Sequence, residues 1–152
     1  MRRFALACCT ATLAACAPSD DGAADTASAR NVARNPIAPA DLAGHWQMRA
    51  FSPRGDTLTM YQLDAPADTA AWTITFRNRP PIPLRVLAVA GDSIVTEAGP
   101  YPSVLQQNVA VRSLRAVNRL EGDRLVGTFV ARYDTDAADS VLYGRHEGTR
   151  RP

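Results

Sequence analysis

Apolar and polar side chains alternate with a period of two in several short stretches from about residue 44 onward. In residues 72–77, WTITFR, the two aromatic residues and the isoleucine share one face of an extended strand, and the polar residues share the other. Residues 125–133 and 141–145 alternate in the same way. No segment keeps a helical period for three turns, and the best helix candidate, 103–108, is short. The pattern predicts an all-β domain.

Turn signals divide this domain into about eight strands. Gly91-Asp92, Glu121-Gly122-Asp123 and Pro53-Arg54-Gly55-Asp56 are typical of hairpin turns, in which glycine supplies a positive φ and aspartate caps the turn. The strands are expected at residues 44–52, 57–64, 71–77, 84–90, 93–98, 109–119, 124–133 and 140–149. We expect an antiparallel up-and-down meander that closes into a small barrel, because closure removes the exposed edges of a sheet. A two-sheet β-sandwich is the alternative.

The length and charge of residues 41–152 indicate one domain without a nucleic-acid surface. The segment is long enough for a single hydrophobic core and too short for two. Its thirteen arginines and twelve acidic residues are interspersed, and the chain contains no lysine. Binding to phosphates needs clustered cations, and no basic stripe is present. We therefore expect no nucleic-acid partner.

Residues 1–15 have the layout of a secretory signal. Arg2 and Arg3 precede an apolar run at residues 4–15. The run is shorter than the roughly twenty residues that a membrane-spanning helix needs. All three cysteines of the chain, Cys8, Cys9 and Cys16, lie in or directly after this segment. A plain secretory signal cleaved elsewhere and an N-terminal core helix are the alternatives.

The end of the signal, Leu13-Ala14-Ala15-Cys16, resembles the lipobox of bacterial lipoproteins. The resemblance implies that residues 1–15 are removed and that Cys16 carries thioether-linked lipid, so the membrane becomes a partner of the protein. Ala17 stands where an aspartate favours retention at the inner membrane in well-studied Gram-negative lipoproteins. We therefore expect a lipid-anchored protein of the cell envelope, at the outer membrane rather than the inner membrane.

The lipidated cysteine begins a polar segment at residues 16–40. This segment is rich in Ala, Asp, Ser and Pro, with too few large apolar side chains to bury a core. It is expected to be a disordered tether with a root-mean-square reach of roughly 25–30 Å. Residues 36–39 are the part that could instead pack on the domain.

The start of the first strand, Leu42-Ala43-Gly44-His45-Trp46, resembles the Gly-x-Trp signature of lipocalins. In that family the tryptophan closes one end of an eight-stranded barrel, and an arginine of the last strand packs across its ring. Arg145 and Arg150 are the candidates for this arginine, and we assign Arg145 as the partner of Trp46. The resemblance implies a lipocalin-like, calycin-type barrel.

The sequence contains no recognisable catalytic or metal-binding constellation. His45 and His146 are the only histidines, and His146 and Glu147 point to opposite faces of a strand. No zinc-ligand spacing occurs. The aspartates of residues 134–139 lack the glycine and glutamate of a calcium loop. We expect no catalytic residue, cofactor or metal, and hence a protein that is not an enzyme.

Two functions follow for a barrel of this kind. The first is binding of a small apolar or amphipathic ligand inside the barrel. Residues 98–105 would form an apolar lid if they fold over an open barrel end, and the alternative is that this loop packs its apolar residues on the outside of the sheet. The aromatic side chains assigned to the ligand are Trp46, Trp72, Phe76, Tyr101, Phe129 and Tyr143. The alternative is a barrel filled by these same side chains, which would act as a protein-interaction or inhibitor module in the envelope.

Overall fold

A computed structural model describes residues 36–136 and 140–152. The signal segment, the lipobox with Cys16, Ala17, the tether up to residue 35 and Asp139 lie outside the described residues. Within the described ranges, no helix is long and apolar enough to cross a membrane.

Nine strands and two short 3-10 helices make up the described part of the chain. The strands are β1 Gly44–Phe51, β2 Thr57–Ala65, β3 Thr73–Phe76, β4 Ile82–Ala90, β5 Ser93–Ala98, β6 Tyr101–Pro102, β7 Ala110–Glu121, β8 Arg124–Tyr133 and β9 Val141–Arg150. The 3-10 helices are Pro39–Leu42 and Thr69–Ala71. The second of these explains why β3 begins later than expected, since the Asp68 carboxylate accepts a hydrogen bond from the Ala70 N–H (2.9 Å) and holds the turn.

The strands form one closed antiparallel sheet. Each long strand pairs with the next along the chain, β5 pairs with β7, and β1 pairs with β9 to complete the ring. Eight strands therefore form the barrel, and β6 is an extra two-residue strand at the edge of β7. The expectation of an all-β, eight-stranded barrel is confirmed, and the alternative of a β-sandwich is wrong. Among the eight barrel strands, the shortest pairing is that of β3 with β4, which has two residue pairs.

One end of the barrel is closed by a tryptophan floor. The indole N–H of Trp46 donates to the Leu42 carbonyl (2.8 Å), and that of Trp72 donates to the Pro66 carbonyl (2.8 Å). Leu42, Trp46 and Trp72 are all at most 1% exposed. The segment that precedes β1 is attached at the same end, where the Ile37 N–H donates to the Gly91 carbonyl (2.8 Å). The β1–β2, β3–β4, β5–β7 and β8–β9 connections lie at the opposite end, which we call the mouth.

The inward face of β9 differs from the expected one. Tyr143 is 60% exposed, so its assignment to the interior is wrong, whereas His146 on the alternate face is buried. Two inward positions of β9 are Gly144 and Gly148, where a Cβ would overlap the Phe129 ring and the Met48 sulfur. Because neighbouring strands supply the bulk at these two positions, the inward face of β9 carries little apolar signal of its own.

Candidate functional site

The upper half of the barrel, towards the mouth, contains a small internal cavity. The volume available to the centre of a water-sized sphere is about 60 Å³. Its apolar walls come from strands on all sides of the barrel: Ala50, Leu58, Leu63, Ile74, Phe76, Leu84, Val111, Leu114, Ala116, Phe129, Ala131 and Leu142. Pockets for drug-sized molecules usually measure about 300–1,000 Å³. As it stands, the cavity has room for only a compact molecule.

A loop between β5 and β7 covers the mouth of this cavity. Tyr101 is buried against Phe76, with the two ring centroids 5.9 Å apart, and Val104 and Leu105 also line the cavity. The Ser103 hydroxyl accepts hydrogen bonds from the N–H groups of Leu105 (3.1 Å) and Gln106 (2.9 Å) and so holds the turn. Leu105 remains 40% exposed. The loop thus lies over the barrel interior, where an apolar lid was predicted.

A buried histidine stands in the wall of the cavity. His146 is 5% exposed, its Nδ1 lies 2.9 Å from the Tyr61 hydroxyl, and its ring stacks on Phe129 at 6.0 Å between centroids. Its Nε2 is buried without a hydrogen-bond partner among the described residues. Such an unpaired buried polar group costs about 1–3 kcal/mol of stability. A group that completes this hydrogen bond would recover part of that free energy.

Small neighbours make room for the imidazole. In the sheet, His146 lies between Ala50 on β1 and Gly127 on β8, and a Cβ on Gly127 would overlap the His146 ring. The next residue in this row is Asn118 on β7. The histidine can therefore lie inside the barrel because two positions beside it lack bulk.

Asn118 and Thr96 extend the polar group around the cavity. Both are buried, at 4% and 1% exposure. The Asn118 amide donates to the Ile94 carbonyl (3.2 Å) and to the Thr96 hydroxyl (3.1 Å). These two bonds use both amide hydrogens, so Oδ1 is the remaining polar atom of the side chain. His146, Asn118 and Thr96 form one polar end of a cavity whose other walls are mainly apolar.

The site carries no formal charge at neutral pH. Burial lowers the pKa of His146 to about 4, so the imidazole is neutral at pH 7. Burial, with a smaller effect from Tyr101, raises the pKa of the Tyr61 phenol above its ordinary value. No Asp, Glu or Arg side chain of the described residues lines the cavity. An ion entering this site would lose its hydration without gaining a partner of opposite charge.

Hydrogen-bond counting places the ring proton of His146 on Nε2. A neutral imidazole has one N–H group and one acceptor nitrogen. If the Tyr61 hydroxyl accepted from Nδ1–H, both its own proton and the Nε2 lone pair would lack partners. If it donates to Nδ1, only the Nε2–H group lacks one. The second arrangement leaves fewer buried polar groups unpaired and is the favoured one.

The predicted aromatic residues separate into three groups. Phe76, Tyr101 and Phe129 line the cavity. Trp46 and Trp72 are buried at the floor and do not line it, and Tyr143 lies on the outer surface. The structure therefore brings three of the six predicted ligand residues to one cavity.

The arginine over Trp46 is Arg150, and the choice of Arg145 is corrected. Trp46 and Arg150 are direct partners across the β1–β9 seam, and the guanidinium carbon lies 4.4 Å from the indole centroid. Arg145 pairs with Phe51 near the mouth and lies 4.8 Å from that ring. Five residues of extended strand separate the two arginines by about 17 Å, so Arg145 cannot reach the floor.

His146, Tyr61, Asn118 and Thr96 were not assigned to the site from the sequence. One signal was available for the histidine, because His146 is in phase with Leu142 and Arg150 along β9. The alternation was not recognised because histidine and asparagine are polar, whereas the inward face of a strand was identified by its apolar residues. The other histidine, His45, is outside the barrel with its Nδ1 2.5 Å from the Asp64 carboxylate.

The described residues contain no group of three or more His, Cys, Asp or Glu side chains that could hold a metal ion. In the loop that resembles the start of a calcium site, the Asp134 carboxylate accepts a hydrogen bond from Arg112 at 2.7 Å.

Comparison with protein-family models found no matching family, and comparisons with curated proteins and with solved structures found no match to this chain.

Proposed function

We propose that this protein is a lipid-anchored binding module of the cell envelope, whose lipocalin-like barrel holds a small apolar or amphipathic molecule without transforming it. The observation that carries the proposal is the mainly apolar cavity near the mouth, with the loop that covers it and with a His146 Nε2 that has no hydrogen-bond partner in the part of the chain that the structure describes. A floor sealed by Trp46 leaves the mouth as the route of entry.

The size of the cavity defines how a ligand would enter. About 60 Å³ is well below the roughly 150 Å³ of a cavity that holds benzene, so even a one-ring ligand needs Val104 and Leu105 to move outward with the loop that carries them. This loop is the natural element to move, because Leu105 is partly exposed and loops rearrange more easily than paired strands. We propose that the β5–β7 loop opens for the ligand and closes over it.

The ligand is tested by native mass spectrometry of the full chain purified gently from its own cells. The expected result is an added mass that leaves the protein on denaturation and identifies the ligand class. Ala116→Leu fills the cavity and should abolish the added mass, whereas Ala88→Leu on the exposed outer face should keep it. A bare protein mass in every preparation would contradict the proposal.

The membrane anchor is a separate part of the proposal and rests on the lipobox resemblance of Leu13-Ala14-Ala15-Cys16. Cys16→Ser should move the protein from the membrane fraction to the soluble envelope fraction, and Cys9→Ser should leave it membrane-bound. Mass spectrometry of the mature N-terminus should find lipid on Cys16, since two or more acyl chains are needed for stable anchoring. An intact, unlipidated residue 16 in the membrane fraction would contradict it.

A second candidate function is an interaction module for another envelope protein. It is favoured by the small cavity and by exposed apolar residues on the outer face, where Leu87 is 44% and Val117 is 41% exposed. Such surface is typical of protein contacts. Crosslinking in intact cells separates the two functions, because Leu87→Ser should abolish a protein crosslink under this candidate and leave ligand binding unchanged under the first.

A further inference from the structure

We infer that the barrel selects an uncharged ligand with one hydrogen-bond-accepting oxygen, such as a hydroxyl or carbonyl, and that the Nε2–H group of His146 binds this oxygen. The inference rests on the proposed function, because it defines the chemistry of the ligand for the same cavity.

The donor is held in a defined orientation. The Tyr61 hydroxyl bonds to Nδ1 at 2.9 Å, and the Phe129 ring stacks on the imidazole with 30° between the two planes. With Nδ1 occupied, Nε2 is the nitrogen left for a ligand. It is packed beside Gly127 with almost no accessible surface, so a ligand reaches it only when the cavity widens at this point. An oxygen acceptor satisfies Nε2–H in a way that a hydrocarbon does not.

The neighbouring polar residues fit a neutral oxygen group. Asn118 has its amide hydrogens committed to Ile94 and Thr96, which leaves its Oδ1 as a possible acceptor for a ligand hydroxyl. A ligand hydroxyl beside His146 and Asn118 can therefore accept a hydrogen bond from Nε2–H and donate one to Oδ1. A ligand carbonyl can only accept the bond from His146.

The absence of charge excludes ionic head groups. Within the described ranges, no charged side chain lines the cavity, and the remaining walls are mainly apolar. A carboxylate or an ammonium group would be buried without a counter-ion, and that is far less favourable than burial of an alcohol of the same size. The selectivity for a neutral ligand follows from the wall composition and does not depend on the lid.

Four matched probes test the inference: benzyl alcohol, toluene, benzoate and benzylammonium, which differ only in one substituent. They are titrated at pH 7 into the chain that carries Cys16→Ser and lacks residues 1–15, which has neither the lipid nor the apolar signal, and are followed by protein-observed NMR. Benzyl alcohol and toluene should bind, and the two ions should bind at least about a hundredfold more weakly than the alcohol. Benzyl alcohol should also shift the ¹⁵N resonance of His146 Nε2, and toluene should shift it much less.

Variants of the two histidines provide the matched control. His146→Phe should lower the affinity for benzyl alcohol by about tenfold and change the affinity for toluene little, because only the alcohol loses a hydrogen bond. His45→Phe should change neither, since His45 lies outside the barrel. His146→Gln retains an N–H donor and should restore part of the preference for the alcohol.

Each contrary result has its own meaning. If alcohol and toluene bind but lose affinity equally in His146→Phe, or if the Nε2 resonance is unchanged, His146 is not the head-group donor and the binding barrel stands. If the ions bind as well as the alcohol, selection for a neutral ligand is wrong. If none of the four probes binds the wild-type cavity, the proposed ligand-binding function fails together with this inference.

Discussion

The guanidinium of Arg150 lies over the indole ring of Trp46 and joins the last strand of the barrel to the first. Its carbon is 4.4 Å from the indole centroid, one terminal nitrogen donates to the Ala43 carbonyl, and the other donates to the Asp41 carbonyl at 2.9 Å. A single side chain thus holds the floor of the barrel, the β1–β9 seam and the segment that leads into β1.

Arg150→Ala should lower the free energy of unfolding by about 1–3 kcal/mol, as the sum of one cation–π contact and two hydrogen bonds to backbone carbonyls. Arg145→Ala is the matched control, because Arg145 stacks on Phe51 and makes no hydrogen bond to a backbone carbonyl of the described residues. It should cost no more than about 1 kcal/mol. Urea unfolding of both variants measures the difference. Equal losses would show that the backbone bonds of Arg150 contribute nothing.

Gly148→Ala should destabilise the barrel by about 1–3 kcal/mol, because the new methyl group overlaps the Met48 sulfur and the Gln47 carbonyl oxygen inside a packed core. Met48→Ala in the same chain removes the overlapping sulfur, so the double variant should be more stable than the sum of the two single losses predicts. A double-mutant cycle by urea unfolding measures this coupling. Additive losses would show that the two residues do not compete for space.

The strands of the barrel were predictable because large apolar residues mark the inward face of most of them. β8 shows this clearly, since Leu125, Phe129 and Ala131 are all buried, as their alternation indicates. The Gly91 and Gly122 turns were equally visible, because a positive φ at a tight turn favours glycine. The number of strands and their order in the meander could thus be predicted from local sequence.

The inward face of β9 and the partner of Trp46 depend on distant residues. Gly144 and Gly148 face inward because Phe129 and Met48 from other strands occupy the space beside them. Arg150 meets Trp46 through the register of two strands about a hundred residues apart in the chain. The cavity is the difference between the volume of the barrel and the volumes of its side chains, and no single segment encodes that difference.

Below pH 6.5 the barrel should lose stability, because His146 binds a proton in the unfolded chain while it stays neutral in the folded one. Burial lowers the pKa of His146 from 6.5 to about 4, so the unfolded chain binds a proton more readily than the folded chain between these values. The His146 contribution is fully present above pH 6.5 and decreases by up to about 3 kcal/mol as the pH falls to 4. The free energy of urea unfolding at several pH values between 4 and 7.5 measures this.

Two variants isolate the histidine from other acid effects. His146→Phe should flatten the decrease between pH 6.5 and 4, since the group that titrates is gone. His45→Gln changes the exposed histidine beside Asp64 and should keep the steep dependence of the wild type on pH. If His146→Phe and the wild type lose stability in parallel, the titration of His146 is not the cause.

Ser103→Ala should loosen the loop over the mouth and leave the barrel below it intact. The Ser103 hydroxyl accepts the N–H groups of Leu105 and Gln106, and its loss removes about 1 kcal/mol of support from that turn. Hydrogen exchange at these two amides should become several-fold faster, since local opening costs less free energy. The amide of Leu125 at the floor should exchange as in the wild type.

Ser52→Ala provides the comparison at the same end of the barrel. The Ser52 hydroxyl accepts the N–H groups of Arg54 and Asp56 in the β1–β2 turn in the same manner, but this turn does not line the cavity. Both variants should speed exchange in their own turn, and only Ser103→Ala should raise the rate at which benzyl alcohol enters the barrel. Equal entry rates in the two variants would show that the loop does not control access, and a rise in Ser52→Ala alone would place the entry route at the β1–β2 turn.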